Sequence, residues 1–191
     1  MKKQTGSEPI HGTNNAKVLD FWQWAYSDIM NNAERGIFAE WLVARALHAA
    51  NEIRTEWDRY DILTPDGIKV EVKSSGYLQS WTQSKLSKII FNIAPTFGWN
   101  KETNTYDNAC KRQADVYIFC VHNCKQREQA NPLDLSQWDF YVMRTAEIDT
   151  HFGNQKSVTL SRLLQNGARK CEYDALFYAV NTLLKDARDK S

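Results

Sequence analysis

The chain has 191 residues, of which 42% are apolar and 25% charged, with a formal net charge of +1. This is an ordinary balance for one soluble globular domain, and it excludes a wholesale basic nucleic-acid binder, so any such site must be a local patch. No apolar run approaches the ~18 residues a membrane span needs, and four Cys without a secretory leader make a reducing, cytoplasmic setting the default.

Residues 1–15 read as a polar lead-in, a candidate for disorder, ahead of a single domain over 16–191. Residues 16–30, "AKVLDFWQWAYSDIM", predict a short amphipathic helix rich in aromatics. "NNAERGIFAEWLVARALHAAN" predicts a second helix, with Asn31 or Asn32 as N-cap and Asn51 as a stop. The period then changes. Tyr60 to Thr64 and Ile68 to Lys73 alternate around the turn signal Pro65-Asp66-Gly67, which predicts a hairpin. Residues 87–95 predict a strand ended by Pro95, and the polar stretch 96–112 predicts a loop. "ADVYIFCV" at 114–121 is an apolar, β-rich run suited to a buried central strand, and 138–145 predicts another strand after a loop. Residues 157–167 predict a helical turn or short helix ending at Gly167, and residues from Cys171 on a closing amphipathic helix. The order of elements implies one α/β domain, a mixed sheet flanked by helices. There is no internal repeat and no interdomain linker.

On the second helix, at ~100° per residue, Gly36, Ile37, Trp41, Val43, Ala44 and Leu47 share a broad stripe, with Arg35, Phe38, Leu42 and Arg45 opposite. Glu40 falls within the apolar stripe, where a carboxylate is costly unless it is paired or binds a metal. A structural salt bridge is the plain explanation. On the strands, Asp61 shares a face with Arg59 and Leu63, and Glu71 shares one with Lys69 and Lys73. A tight hairpin of suitable register brings Asp61 to the Glu71–Lys73 face, where the alternative is a solvated face with cross-strand ion pairs.

Acidic groups on one surface can hold a hard divalent cation such as Mg²⁺, which can activate water and polarise a phosphodiester. Phosphodiester hydrolysis also needs a positive group near the attacked phosphate. A lysine two residues after a strand glutamate shares its face, so Glu-x-Lys makes chemical sense where Glu-Lys does not.

The ordered set of Glu40 in "GIFAE", Asp61 in "YD", and Glu71 and Lys73 in "EVK" resembles the PD-(D/E)xK nuclease superfamily, the restriction-endonuclease-like fold. The entry Gly36 to Glu40 is similar to that of archaeal Holliday-junction resolvases, and the match covers roughly residues 33–94. Tyr60 stands where the motif has proline. Asp66 belongs to the turn, too close to Glu71 for the motif, and Asp58 competes with Asp61 for the Glu71 face. The resemblance implies an endodeoxyribonuclease that uses Mg²⁺, with Mn²⁺ able to substitute. Asp61, Glu71 and Glu40 are then the metal ligands and Lys73 the cation that orients water and neutralises charge on the phosphate. It also implies DNA as partner, with RNA left open, and a homodimer where both strands are cut. The rival on the same scaffold is a catalytically silent nucleic-acid-binding or protein-interaction module.

Past the motif, Tyr77, Trp81, Lys85 and Lys88 interleave aromatics with charge, which suits stacking and backbone contacts to nucleic acid. Gln79, six residues past Lys73, could orient it or touch phosphate. Each of these also fits a solvated loop or a covered core edge. Cys120, His122 and Cys124 tempt a zinc reading, but no second ligand pair completes it, and Cys120 suits apolar packing. Without a glycine-rich phosphate loop or a nucleophile elbow, no nucleotide cofactor or serine-hydrolase chemistry is expected.

Overall fold

The computed structural model describes residues 2–51, 53–54, 59–100 and 103–188. In chain order it contains α1 (Val18–Tyr26), α2 (Asn32–Ala46), β1 (Ile62–Leu63), β2 (Lys69–Gly76), β3 (Ile90–Asn92), β4 (Thr96–Asn100) and β5 (Thr105–Lys111). Then follow β6 (Val116–His122), β7 (Trp138–Arg144), α3 (Thr145–Phe152), β8 (Ser157–Thr159), α4 (Leu160–Gln165), β9 (Arg169–Cys171) and α5 (Leu176–Arg188).

Among the described residues the central sheet has the order β1-β2-β6-β7-β9. Only β2 and β6 run parallel, so the sheet is mixed. β6 is buried along its whole length, and its run of Val, Ile and Phe with no polar alternation reflects cover on both faces. One face packs Val70, Val72, Ile118 and Val142 under Ala39 and Val43 of α2 and Val180 and Leu183 of α5. The other packs Phe119, Val121 and Met143 under Ile148 and Phe152 of α3 and Leu163 of α4, together with Phe91 and Val158 of the small β3–β8 sheet. Burying each such side chain contributes roughly 1.5–3 kcal/mol before conformational entropy is counted. The chain is thus a single α/β domain with helices on both faces of the sheet.

α2 starts where the Asn31 side chain accepts from Ala33 N–H at 3.0 Å, and Ala, Leu, Glu and Arg carry it to a C-cap at Leu47. Its buried face differs from the apolar stripe read from the sequence. Arg35, Ala39, Leu42 and Val43 go inward, while Ile37 and Trp41 are exposed. Arg35 wins the inward place because its guanidinium donates to the carbonyls of Met30 (3.0 Å) and Leu78 (3.4 Å), which satisfies much of a group that burial otherwise penalises. It lies flat on the backbone of β2 at Gly76, where a Cβ would sit 3.2 Å from Arg35 Nη1.

The hairpin forms around Thr64-Pro65-Asp66-Gly67. Thr64 accepts from Ile68 N–H through Oγ1 at 3.0 Å, and Gly67 supplies φ +80°. Its first arm is only Ile62–Leu63, shorter than expected, and its second extends to Gly76 because β6 pairs with it from Val70 onward.

Further expectations need correction, among them the helical reading of residues 157–159, which form β8. Residues 96–112 are not a loop. Thr96, Phe97 and Trp99 on β4 pair with Lys111, Cys110 and Tyr106 on β5 in a separate ribbon, open enough that no one-sided burial imposes an apolar alternation. The strand expected at 87–95 shrinks to β3 and pairs with β8 outside the central sheet. The edge strand β9 takes in Arg169 and Lys170, for which no element was expected, and Cys171, the expected start of the last helix.

Candidate active site

The register Ile62↔Val70 places Asp61 beside Glu71, as the face argument required. Asp61 N–H donates to Val70 O at 3.1 Å, and its carboxylate accepts from Val72 N–H at 2.7 Å. Pleating puts Val70 and Val72 in the core and leaves Glu71 and Lys73 half-buried on the opposite face. Lys73 Nζ donates to Glu71 Oε1 at 2.5 Å. Glu40, at the border of the buried face of α2, is held by Arg54 in a two-point ion pair.

The groups sense one another. Burial and the Glu71 charge push the Asp61 carboxyl up to about 7, against the pull of Lys73 and Val72 N–H, and the Glu40 charge adds to the rise. For Lys73, burial opposes the ammonium, but Glu71 and Asp61 outweigh it, and the group is shifted upward. Three carboxylates and one lysine therefore form a single electrostatic unit with an excess of negative charge.

That excess suits a hard cation with oxygen ligands that keeps several of its own waters. Among the described residues no three Asp, Glu, His or Cys converge into a ready cage. Glu40 and Glu71 are instead paired with Arg54 and Lys73. Asp61 and Glu71 could hold such an ion, with Glu40 close enough for its charge to be felt at Asp61. Asp58 lies outside the described residues. Asp66 sits exposed in the turn.

Asp61 and Glu71 line a cleft of about 270 Å³ whose other wall is the β4–β5 ribbon, through Phe97, Trp99 and Tyr106. Tyr117 of β6, directly opposite Glu71 in register, closes the floor, and burial followed by the Glu71 charge raises its phenol. Arg59 ties the two walls, donating to Trp99 O at 2.9 Å and to Asp107 Oδ1 at 3.0 Å. Sequence reasoning missed this wall. Its only signal was three aromatics among polar residues in a stretch read as loop.

The residues expected to touch nucleic acid divide. Trp81, Lys85 and Lys88 are exposed. Gln79 is buried, and its amide donates to Gly76 O at 3.2 Å and to Ser87 Oγ at 3.1 Å, so it shapes the loop from within. Arg127 pins the same loop through the carbonyls of Gln79 and Trp81, and Lys125 lies 4.8 Å over the Tyr77 ring. Cys120 is wholly buried in the core, in keeping with its packing role.

No helix among the described residues is long and apolar enough to cross a membrane. No curated protein matches the chain. The sequence model of the bacteriophage T4 endonuclease IV family matches residues 14–162, a span that holds Glu40, Asp61, Glu71, Lys73 and the aromatic ribbon, and the chain belongs to that family of endonucleases.

Proposed function

We propose that the chain is a Mg²⁺-dependent endodeoxyribonuclease of the PD-(D/E)xK type, with Mn²⁺ able to substitute. The observation that carries the reading is the cross-hairpin placement of Asp61, fixed by Val72 N–H, beside the Glu71–Lys73 pair. The endonuclease family and the order of Glu40, Asp61, Glu71 and Lys73 support it.

In this reading Asp61 and Glu71 hold the cation and Glu40 completes its surroundings. When bound, such an ion supplies a Lewis acid that polarises phosphate and acidifies water. Lys73 exchanges its bond to Glu71 for one to the scissile phosphate or the attacking water, and it neutralises charge that grows on the phosphate oxygens. The sheet fixes the lysine's backbone and face beforehand, so only the end of its side chain changes partner. Trp81, Lys85 and Lys88 contact the strand beyond the cut.

The test incubates purified wild type and Lys73→Ala with supercoiled plasmid, branched DNA and RNA, in Mg²⁺, Mn²⁺ or EDTA. Metal-dependent DNA cutting by wild type alone is the expected result. A folded, metal-supplied protein that binds DNA and cuts nothing would replace this reading with the silent binding module. Preferential cutting of RNA would move the substrate.

A further inference from the structure

The β4–β5 ribbon belongs to neither core cluster, yet it forms the second wall of the cleft at Asp61 and Glu71. It presents flat apolar rings where a hydrolytic site needs none. Phe97 is 55% exposed and Tyr106 64% exposed, and Trp99 braces Tyr106 edge-on at 4.8 Å across the ribbon. A cross-strand aromatic pair of this kind holds its rings in place without a core behind them.

The ribbon is also fixed to the chemistry. Arg59, two residues before Asp61, bonds both the Trp99 carbonyl and the Asp107 carboxylate. Gly98 leaves room for the Asp107 and Gln113 side chains, since a Cβ there would stand 2.6 Å from Asp107 Oδ2 and 2.8 Å from Gln113 Oε1. The register shifts between Phe97 and Trp99, and such a bulge bends and twists a ribbon. Arg59 thus ties the ribbon to the segment that carries Asp61.

We infer that this ribbon is a nucleobase platform: Phe97 and Tyr106 stack on a base flanking the scissile phosphodiester and hold it out of its helical stack. The inference rests on the nuclease reading for the position of the scissile bond. Every base offers a π-face, so the contact is tolerant of sequence and adds affinity while Asp61, Glu71 and Lys73 act on the phosphate. Phe97 and Tyr106 are thus positioning residues, and their removal weakens substrate capture more than turnover.

The test uses the full chain and a set of oligodeoxynucleotides, each with 2-aminopurine or an abasic unit at one successive position. In EDTA, where no cutting occurs, wild type changes 2-aminopurine fluorescence at one or two positions, Tyr106→Ala and Phe97→Ala abolish the change, and Tyr106→Phe retains it. In Mg²⁺, the alanine variants raise KM roughly 10- to 100-fold on intact substrate with kcat nearly unchanged, and cause no further loss on the substrate abasic at that position. Unchanged fluorescence at every position, or equal loss on intact and abasic substrates, overturns the platform. The EDTA arm needs no cleavage, so failure of the platform and failure of the nuclease reading are told apart.

Discussion

The carboxylate of Asp61 and the main-chain N–H of Val72 meet across the hairpin at 2.7 Å. In the β1–β2 register Val72 lies opposite Tyr60, beyond the end of β1, so a side chain satisfies an amide that the ladder leaves over. The bond aims the carboxylate towards Glu71 and spends one of its acceptor sites on the backbone.

Asp61→Asn keeps an acceptor for Val72 N–H and removes a charge. The wild-type carboxyl ionises near 7 when folded and near 3.8 when unfolded, so between those values the folded state binds more protons and stability falls as pH rises. The variant escapes that loss. Urea titration without metal should find it more stable than wild type at pH 8, by about 1–3 kcal/mol, and nearly equal at pH 3.5. Plasmid cutting should be lost. In wild type, cutting in limiting Mg²⁺ should rise through neutral pH as Asp61 gives up its proton.

Lys73→Met removes the cation and keeps the stem. Glu71 then loses its 2.5 Å partner, and the negative excess at the site grows. The expected result is a fall in kcat of at least ~10²-fold with DNA affinity within a few-fold, read from single-turnover cleavage and a gel-shift titration.

Glu40→Gln weakens a partly exposed ion pair with Arg54 and keeps an acceptor for it, so its stability cost should stay near or under about 1 kcal/mol in urea titration. Its cost to cleavage should be larger, and partly offset by raised Mg²⁺. A variant whose cleavage is unaffected at every Mg²⁺ concentration would leave Glu40 a structural ion pair only.

Gly98→Val crowds the Asp107 carboxylate, whose bond to Arg59 helps tie the ribbon to the segment that carries Asp61, so that the carboxylate must shift. Because the ribbon stands outside both core clusters, the melting temperature should change little. Faster amide exchange over residues 96–111 and weaker DNA capture are the expected signs.

The hairpin was legible in the sequence because its two arms alternate strictly around a turn that needs glycine at position 67. The acid set followed, since strand faces are fixed by a period of two. The face of α2 was not legible. Trp41 and Ile37 outrank Arg35 on any apolar scale, and the inward arginine is made tolerable by the carbonyls of Met30 and Leu78, which lie off the helix, together with the Asn32 side chain. The ribbon was illegible for a related reason. Its strands are stabilised by cross-strand rings and by Arg59, not by a buried face that would print an alternation.

Gly76 and Arg35 meet where the helix that carries Glu40 crosses the strand that carries Glu71 and Lys73. The girth of one guanidinium thus gauges the gap between the two carriers, at a point away from the acids themselves. A methyl at 76 should act as a wedge under α2, and a slimmer cation at 35 should relieve it. Gly76→Ala and Arg35→Lys are then each expected to slow cleavage, and the double variant to recover part of the loss. Among relatives, the two positions should drift as a pair.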